Sequence, residues 1–146
     1  MILADLTGMK IFTTRFGEID INKDMIIKFP SGIPGHERLK RYCLIEHRNL
    51  LKWLQAVDDP EVAFISTDPF NFFQTYSFKI NDDDEKRLGI KIPSDVAVLV
   101  FLSIYGNRVT ANLKEPVIIN SSNRTAARIK IEGADYSTKT LLPGIF

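Results

Sequence analysis

The sequence predicts an all-β protein, with residues 1–146 forming one small, mainly antiparallel, barrel-like domain that carries one or two short helices. Three observations carry this expectation. β-Branched and aromatic residues fall in many short runs, turn residues separate most of those runs, and no stretch shows a long apolar stripe of helical period. The candidate strands are residues 11–14, 17–19, 25–28, 41–45, 54–57, 62–67, 75–80, 96–103, 109–113, 117–119 and 127–132. Gly8, Asn22-Lys23-Asp24, Asp58-Asp59-Pro60, Asn81-Asp82-Asp83 and Gly106-Asn107 supply the punctuation.

Taken in order, the third run ends in Phe29-Pro30-Ser31-Gly32-Ile33-Pro34-Gly35, which places two Gly and two Pro in seven residues. Proline fixes φ and removes a donor, and glycine admits positive φ. The segment therefore ends a strand and makes a compact turn in which at least one glycine has φ above zero. His36-Glu37-Arg38-Leu39 are expected to add a helical turn. Cys43 lies in the apolar run Tyr42-Cys43-Leu44-Ile45 and reads as a small buried hydrophobe. Glu46-His47-Arg48-Asn49 is a polar connection with an exposed histidine. Phe72 and Phe73 are adjacent and cannot share one face of a regular strand, so Pro69-Phe70-Asn71-Phe72-Phe73 is expected to bend.

Residues 75–80 alternate, with Tyr76, Phe78 and Ile80 on one face and Thr75, Ser77 and Lys79 on the other, and form a candidate neighbour of the 62–67 strand. Asp83 or Asp84 is expected to cap a short helix through Glu85-Lys86-Arg87-Leu88, closed by Gly89. Val96 to Leu102 does not alternate, as in a central strand buried on both faces or a short buried helix. Ala127, Ile129 and Ile131 alternate with Arg128, Lys130 and Glu132. The apolar end Leu141-Leu142-Pro143-Gly144-Ile145-Phe146 is expected to pack back on the barrel.

Composition narrows the function. Nineteen Lys plus Arg against 18 Asp plus Glu give a formal charge of +1, which implies no general attraction to nucleic acid or anionic lipid. The longest apolar run is too short to cross a bilayer. Met1-Ile2-Leu3-Ala4-Asp5 places an acid where a secretory signal needs bases, and a single cysteine suits a reducing compartment. A cytoplasmic protein is expected. His36 and His47 have no companion ligands at metal-binding spacing, and no Gly-x-Ser-x-Gly elbow, Walker sequence or dinucleotide fingerprint occurs. No catalytic residue, metal or cofactor is therefore expected.

The acidic clusters Asp58-Asp59-Pro60-Glu61 and Asp82-Asp83-Asp84-Glu85 read as solvated turn and helix cap, and as surfaces able to steer a basic partner. Asp58, Asp59 and Glu61, with Phe72 and Tyr76 as anchors, are the candidate partner-binding residues. The competing reading places Phe72 and Tyr76 in the core. Direct RNA binding by a small β-barrel is the alternative function, but Glu132 and Asp135 interrupt the basic residues Arg124, Arg128, Lys130 and Lys139.

Four motifs in order carry a family resemblance. These are the turn Phe29 to Gly35, with Gly32, Ile33, Pro34 and Gly35 at its centre; Ala63-Phe64-Ile65 followed by Asp68-Pro69-Phe70; Asp95-Val96-Ala97-Val98; and Asn112-Leu113-Lys114-Glu115-Pro116-Val117-Ile118-Ile119-Asn120, with Asn112, Pro116 and Asn120 as its markers. Together they resemble the FliW family of flagellar assembly factors over essentially the whole chain. His36 stands where an aromatic commonly follows the turn, and Glu115 where alanine commonly precedes proline. The resemblance implies a barrel-like, non-enzymatic protein. Its implied partners are the translational regulator CsrA, which it antagonises, and flagellin. It also implies no direct nucleic-acid contact, no membrane and no cofactor.

Overall fold

The structure, a computed structural model, describes residues 8–48 and 50–143. Eleven strands and one α-helix follow one another as β1 (Gly8–Thr13), β2 (Gly17–Asn22), β3 (Ile26–Lys28), β4 (Arg41–Glu46), β5 (Leu51–Ala56), β6 (Ala63–Thr67), α1 (Asp82–Leu88), β7 (Val96–Tyr105), β8 (Arg108–Ala111), β9 (Val117–Asn120), β10 (Thr125–Arg128) and β11 (Thr140–Leu141). Strands β7-β6-β5-β4-β3-β10-β9 form a ring of seven, because β9 also pairs with β7 through Val96↔Asn120 to Leu99↔Val117. Closure removes the free edges that an open sheet would present. All pairings in the ring are antiparallel except β3 with β10, which share one register pair, Thr125↔Lys28. β8 and β11 extend outward from β7, and β1 with β2 make a separate hairpin.

The inward side chains fill the lumen with Ile27, Phe29, Ile33, Leu39, Tyr42, Leu54, Leu99, Phe101, Val117 and Ile119. Unlike an open sheet with one wet face, this barrel is also covered outside. The β1–β2 hairpin covers Ile26, Cys43 and Val57 with Ile11 and Ile21. Helix α1 covers Val98, Ile118, Ala127 and Ile129 with Leu88. The chain after Thr67 and the C-terminal segment cover Leu51, Val100, Leu102 and Ala111 with Tyr76, Ile131 and Leu142. Double coverage explains why Val98 to Leu102 are all buried and why β7 shows no alternation. Cys43 is fully buried, as its apolar run implied.

The helix begins two residues earlier than a cap at Asp83 would place it, and three earlier than a cap at Asp84. Asn81 is the N-cap, its Oδ1 accepting from the Asp84 N–H at 2.8 Å, and Gly89 closes the helix at φ 69°. Asp82, Asp83, Asp84 and Glu85 occupy the first turn, where the helix dipole favours negative charge.

Three further sequence expectations are corrected. Thr75 lies in a turn closed by the Tyr76 N–H on the Phe73 carbonyl, and residues 76–80 form neither helix nor strand but keep their alternation, with Tyr76 buried, Phe78 and Ile80 half-buried, and Ser77 and Lys79 exposed. They pair with no strand, because β6 already has β5 on one edge and β7 on the other. Residues 36–39 form no helix. His36 N–H donates to the Ile33 carbonyl at 2.7 Å across an isolated bridge, so the chain turns back at once. The strand expected at 127–132 is displaced to Thr125–Arg128. Beyond it, the Ile129 and Ile131 N–H groups donate to the Pro116 and Lys114 carbonyls. At the C-terminus Leu142 is buried and β11 pairs with β8, whereas residues 144–146 and 1–7, with Asn49, lie outside the described residues.

Candidate partner-binding rim

One end of the barrel collects several of the singled-out segments. The signature turn leaves β3 through Phe29, which is fully buried, and Gly32 N–H closes it onto the Phe29 carbonyl at 2.8 Å. Gly32 and Gly35 both have positive φ, 70° and 91°. The Gly35 N–H donates to Glu37 Oε2 at 3.1 Å, which holds the Glu37 carboxyl below its ordinary range. The turn delivers His36 edge-on to Phe64, with ring centroids 5.4 Å apart.

Phe64 belongs to β6 and, with Val62 just before that strand, packs against the lumen cluster. It lies 6.2 Å from Tyr42 and stacks flat on Phe101 of β7 at 4.7 Å and 5°. The Arg128 guanidinium sits 4.9 Å from the Phe101 ring centroid, a cation–π contact. Arg128 Nε also donates to the Glu115 carbonyl at 3.3 Å. The late motif enters here, because the Glu115 N–H donates to Asn112 Oδ1 at 3.0 Å and the Asn112 N–H donates to the Phe101 carbonyl at 2.9 Å. His36, Phe64 and Arg128 are all half-buried, so the row is supported from within and open from without.

The acidic turn lies at the same end. Arg41 grips Asp58 with two donors, Nε at 3.0 Å and Nη2 at 2.6 Å, and Arg38 stands 3.5 Å from Asp59. Asp59 Oδ1 accepts from the Glu61 N–H at 3.0 Å. Gln55, fully buried beneath the turn, aims its amide N–H groups at the carbonyls of Ala56, Asp59, Pro60 and Val62. The Thr14 N–H ties the β1–β2 hairpin to the Pro60 carbonyl at 2.9 Å. Asp58 and Asp59 thus shape the turn and are paired with Arg41 and Arg38, whereas Glu61 is exposed and makes no ion pair among the described residues. Burial, with the Asp59 charge beside it, pushes the Tyr42 hydroxyl up to about 12.

The Arg41 guanidinium holds the Asp58 carboxyl below the usual carboxylate range. A depressed folded value contributes stability above the unfolded pKa of about 4, and the contribution disappears as pH falls through the folded value. Both side chains are more than a third exposed, at 41% and 47%, so solvent screens the pair to under about 1 kcal/mol. Asp58→Asn is therefore expected to flatten part of the acid limb of stability, by an amount that shrinks with added salt. Urea midpoints across the acid range at two salt concentrations measure it. An unchanged acid limb at low salt would show that the pair contributes nothing.

Phe72 and Tyr76 are not brought to this rim. They follow the far end of β6, beyond a 3-10 turn at Pro69–Asn71 capped by Asp68. Tyr76 is buried, and its hydroxyl donates to the Leu113 carbonyl at 2.7 Å. Phe72 is half-buried in the same cluster. The late-motif residues divide as well. Pro116 is buried and accepts from the Ile129 N–H. Asn120 is also buried, donating to the Leu88 carbonyl at 2.9 Å and accepting from the Ser122 N–H at 2.9 Å, which locks the helix C-terminus to β9. Sequence reasoning missed Phe64 and Arg128 as rim residues. Phe64 packs toward the lumen, but its ring partners come from positions 36, 42 and 101, and Arg128 joins the row only through Phe101, which no local pattern links.

Among the described residues, no group of three or more His, Cys, Asp or Glu side chains could hold a metal ion, and no helix is long and apolar enough to cross a membrane. These features define a closed-barrel β protein with covered outer faces and an aromatic and ionic rim. The FliW protein family model matches residues 10–142. The flagellar assembly factor FliW of Moorella thermoacetica is 39% identical over 136 residues, covering 90% of this chain and 86% of that protein. The FliW of Syntrophus aciditrophicus is 40% identical over 132 residues, covering 88% and 84%. A crystal structure of the flagellar assembly factor FliW superimposes with a TM-score of 0.87 at 32% identity, covering 93% of this chain and 98% of that one. The chain belongs to the FliW family of flagellar assembly factors.

Proposed function

We propose that this protein binds the translational regulator CsrA as an antagonist and also binds flagellin, so that flagellin synthesis follows filament assembly. It works in the cytoplasm by exchange of protein partners and without catalysis. The observation that carries the reading is the family match across residues 10–142. The rim supports it, because it offers a preformed row of half-buried aromatic and charged side chains beside the exposed carboxylate of Glu61, an acid able to meet a basic, RNA-gripping protein.

Calorimetric titration of CsrA into the folded protein tests the reading. Glu61→Lys is the clean charge reversal, because Glu61 is exposed and its side chain holds no part of the turn in place. It is expected to weaken binding by about threefold to tenfold at low salt, mainly through the association rate. Asp59→Asn keeps an acceptor for the Glu61 N–H and separates charge from turn geometry. Equal affinities for wild type and Glu61→Lys at every salt concentration would remove Glu61 from the interface, and no heat of binding for wild type would sink the CsrA reading itself. With flagellin leader RNA and this protein alone, a gel shift is expected to show no complex at micromolar concentration. A saturable, salt-sensitive shift would favour the RNA-binding alternative.

A further inference from the structure

Residues 76–80 have the alternation of a strand without a partner strand. On one side of them lies the C-terminal segment, where the Tyr136 hydroxyl both accepts from the Ser77 N–H at 3.1 Å and donates to the Ser77 carbonyl at 3.0 Å. In extended chain, the N–H and C=O of successive residues point to opposite edges. With Ser77 turned toward Tyr136, Phe78 and Ile80 present their backbone groups to the other edge. Among the described residues, the N–H and C=O groups of Phe78, Lys79 and Ile80 have no partner within the chain, nor do those of Lys91 across the gap.

That other edge borders a groove of about 550 Å3 between residues 76–80 and the connection from α1 to β7. Phe70, Phe78, Ile80, Ile92, Pro93 and Val96 supply its apolar walls. Phe70 and Ile92 are 45% and 52% exposed, unusual for large side chains around one hollow. Lys79 and Lys91 stand at its border and make no ion pair among the described residues; Glu85 is the single carboxylate lining it. The groove is neither at the rim nor dependent on the partners proposed for it.

We propose that this groove receives an extended peptide from a partner protein, added as a strand along the free edge at Phe78 and Ile80. The peptide carries apolar side chains at alternate positions and a carboxylate set against Lys79 and Lys91. Unpaired backbone groups select an extended chain over a helix, whose own backbone groups are already bonded internally. The apolar walls select alternate side chains, and the two lysines select an acid. Strand addition of this kind takes its affinity from main-chain hydrogen bonds and its specificity from the pockets between.

Panning a library of random dodecapeptides displayed on phage against the whole protein, with Ile92→Asp as counter-target, tests the proposal. Ile92 is exposed, so the variant is expected to fold, which a thermal melt checks. Enriched sequences should place apolar residues at every second position with Asp or Glu nearby. The synthetic peptide should bind wild type at least tenfold more tightly than Ile92→Asp, and Lys79→Glu should weaken it at least threefold at low salt. One further measurement needs no protein variant. N-methylating the peptide at alternate amides, in one of the two phases, should lower affinity for wild type at least tenfold, and hydrogen exchange at Phe78 and Ile80 should slow at least tenfold in the complex. No enrichment over the counter-target, a consensus spaced for a helix, or indifference to N-methylation in both phases would overturn it. So would a concentration-dependent dimer abolished by Ile92→Asp, which would assign the groove to a second copy of this chain.

Discussion

Gly32→Ala is expected to lower folding stability by about 3 kcal/mol or more, enough to abolish the folded state of a marginal domain. Two effects combine. Gly32 has φ 70°, a conformation that costs an L-residue about 1–2 kcal/mol. A Cβ there would also lie 2.5 Å from the Glu37 carbonyl oxygen, 2.6 Å from its Cα and 2.8 Å from its carbonyl carbon. The obstacle is backbone, so no side chain can swing aside. Gly35 provides the control. Its φ of 91° is equally left-handed in kind, but a Cβ would meet nothing within 4 Å. Gly35→Ala should therefore cost only the conformational part, about 1 kcal/mol. Urea denaturation of both variants reads the difference, and equal midpoints would contradict the close approach at Gly32.

Tyr76→Ala is expected to cost about 3–5 kcal/mol, the range for emptying a buried aromatic site. The ring is 3% exposed and touches Phe70, Phe78 and Tyr136 at centroid distances of 5.8, 5.3 and 4.8 Å. Tyr76→Phe keeps those contacts and leaves only the Leu113 carbonyl without its donor, a loss of about 1 kcal/mol. Burial and the nearby Tyr136 hydroxyl raise the Tyr76 hydroxyl well above the usual phenol range, so it remains a donor throughout neutral pH. If Tyr76→Ala melted like wild type but lost a partner, Tyr76 would be an anchor. A large loss of stability identifies it as core.

The strands were legible wherever short-range pattern decides them. β4, β6, β7 and β9 lie within a few residues of their expected places, and Gly89 closed its helix as its φ requires. The pattern failed where pairing decides. Residues 75–80 alternate as well as any strand, but alternation reports which face is wet and says nothing of an available edge, and both edges of β6 were taken. β11 is only two residues long and leaves no run to detect. The acidic turn was visible, but its internal use was not. Arg38 and Arg41 reach it from another strand and turn, and Gln55 supports it from below. The rim was least legible of all, since its four contact residues come from four separated segments. The family motifs named the turn and Asn120 without revealing that one holds a backbone crossing and the other ties down the end of a helix.

The single parallel pairing in the ring has a consequence for the life of the chain. β3 and β10 meet at Thr125↔Lys28, reinforced by the Lys28 N–H to the Arg124 carbonyl at 2.9 Å and by Arg124 Nε to the Ile26 carbonyl at 3.2 Å. During synthesis, β3 leaves the ribosome long before its partner exists and waits with one edge open. The rim waits too, because Arg128 and Glu115 belong to the late-arriving side. A half-made chain thus offers neither a closed ring nor a complete rim, and both arrive together, once β9 and β10 have emerged and the barrel shuts.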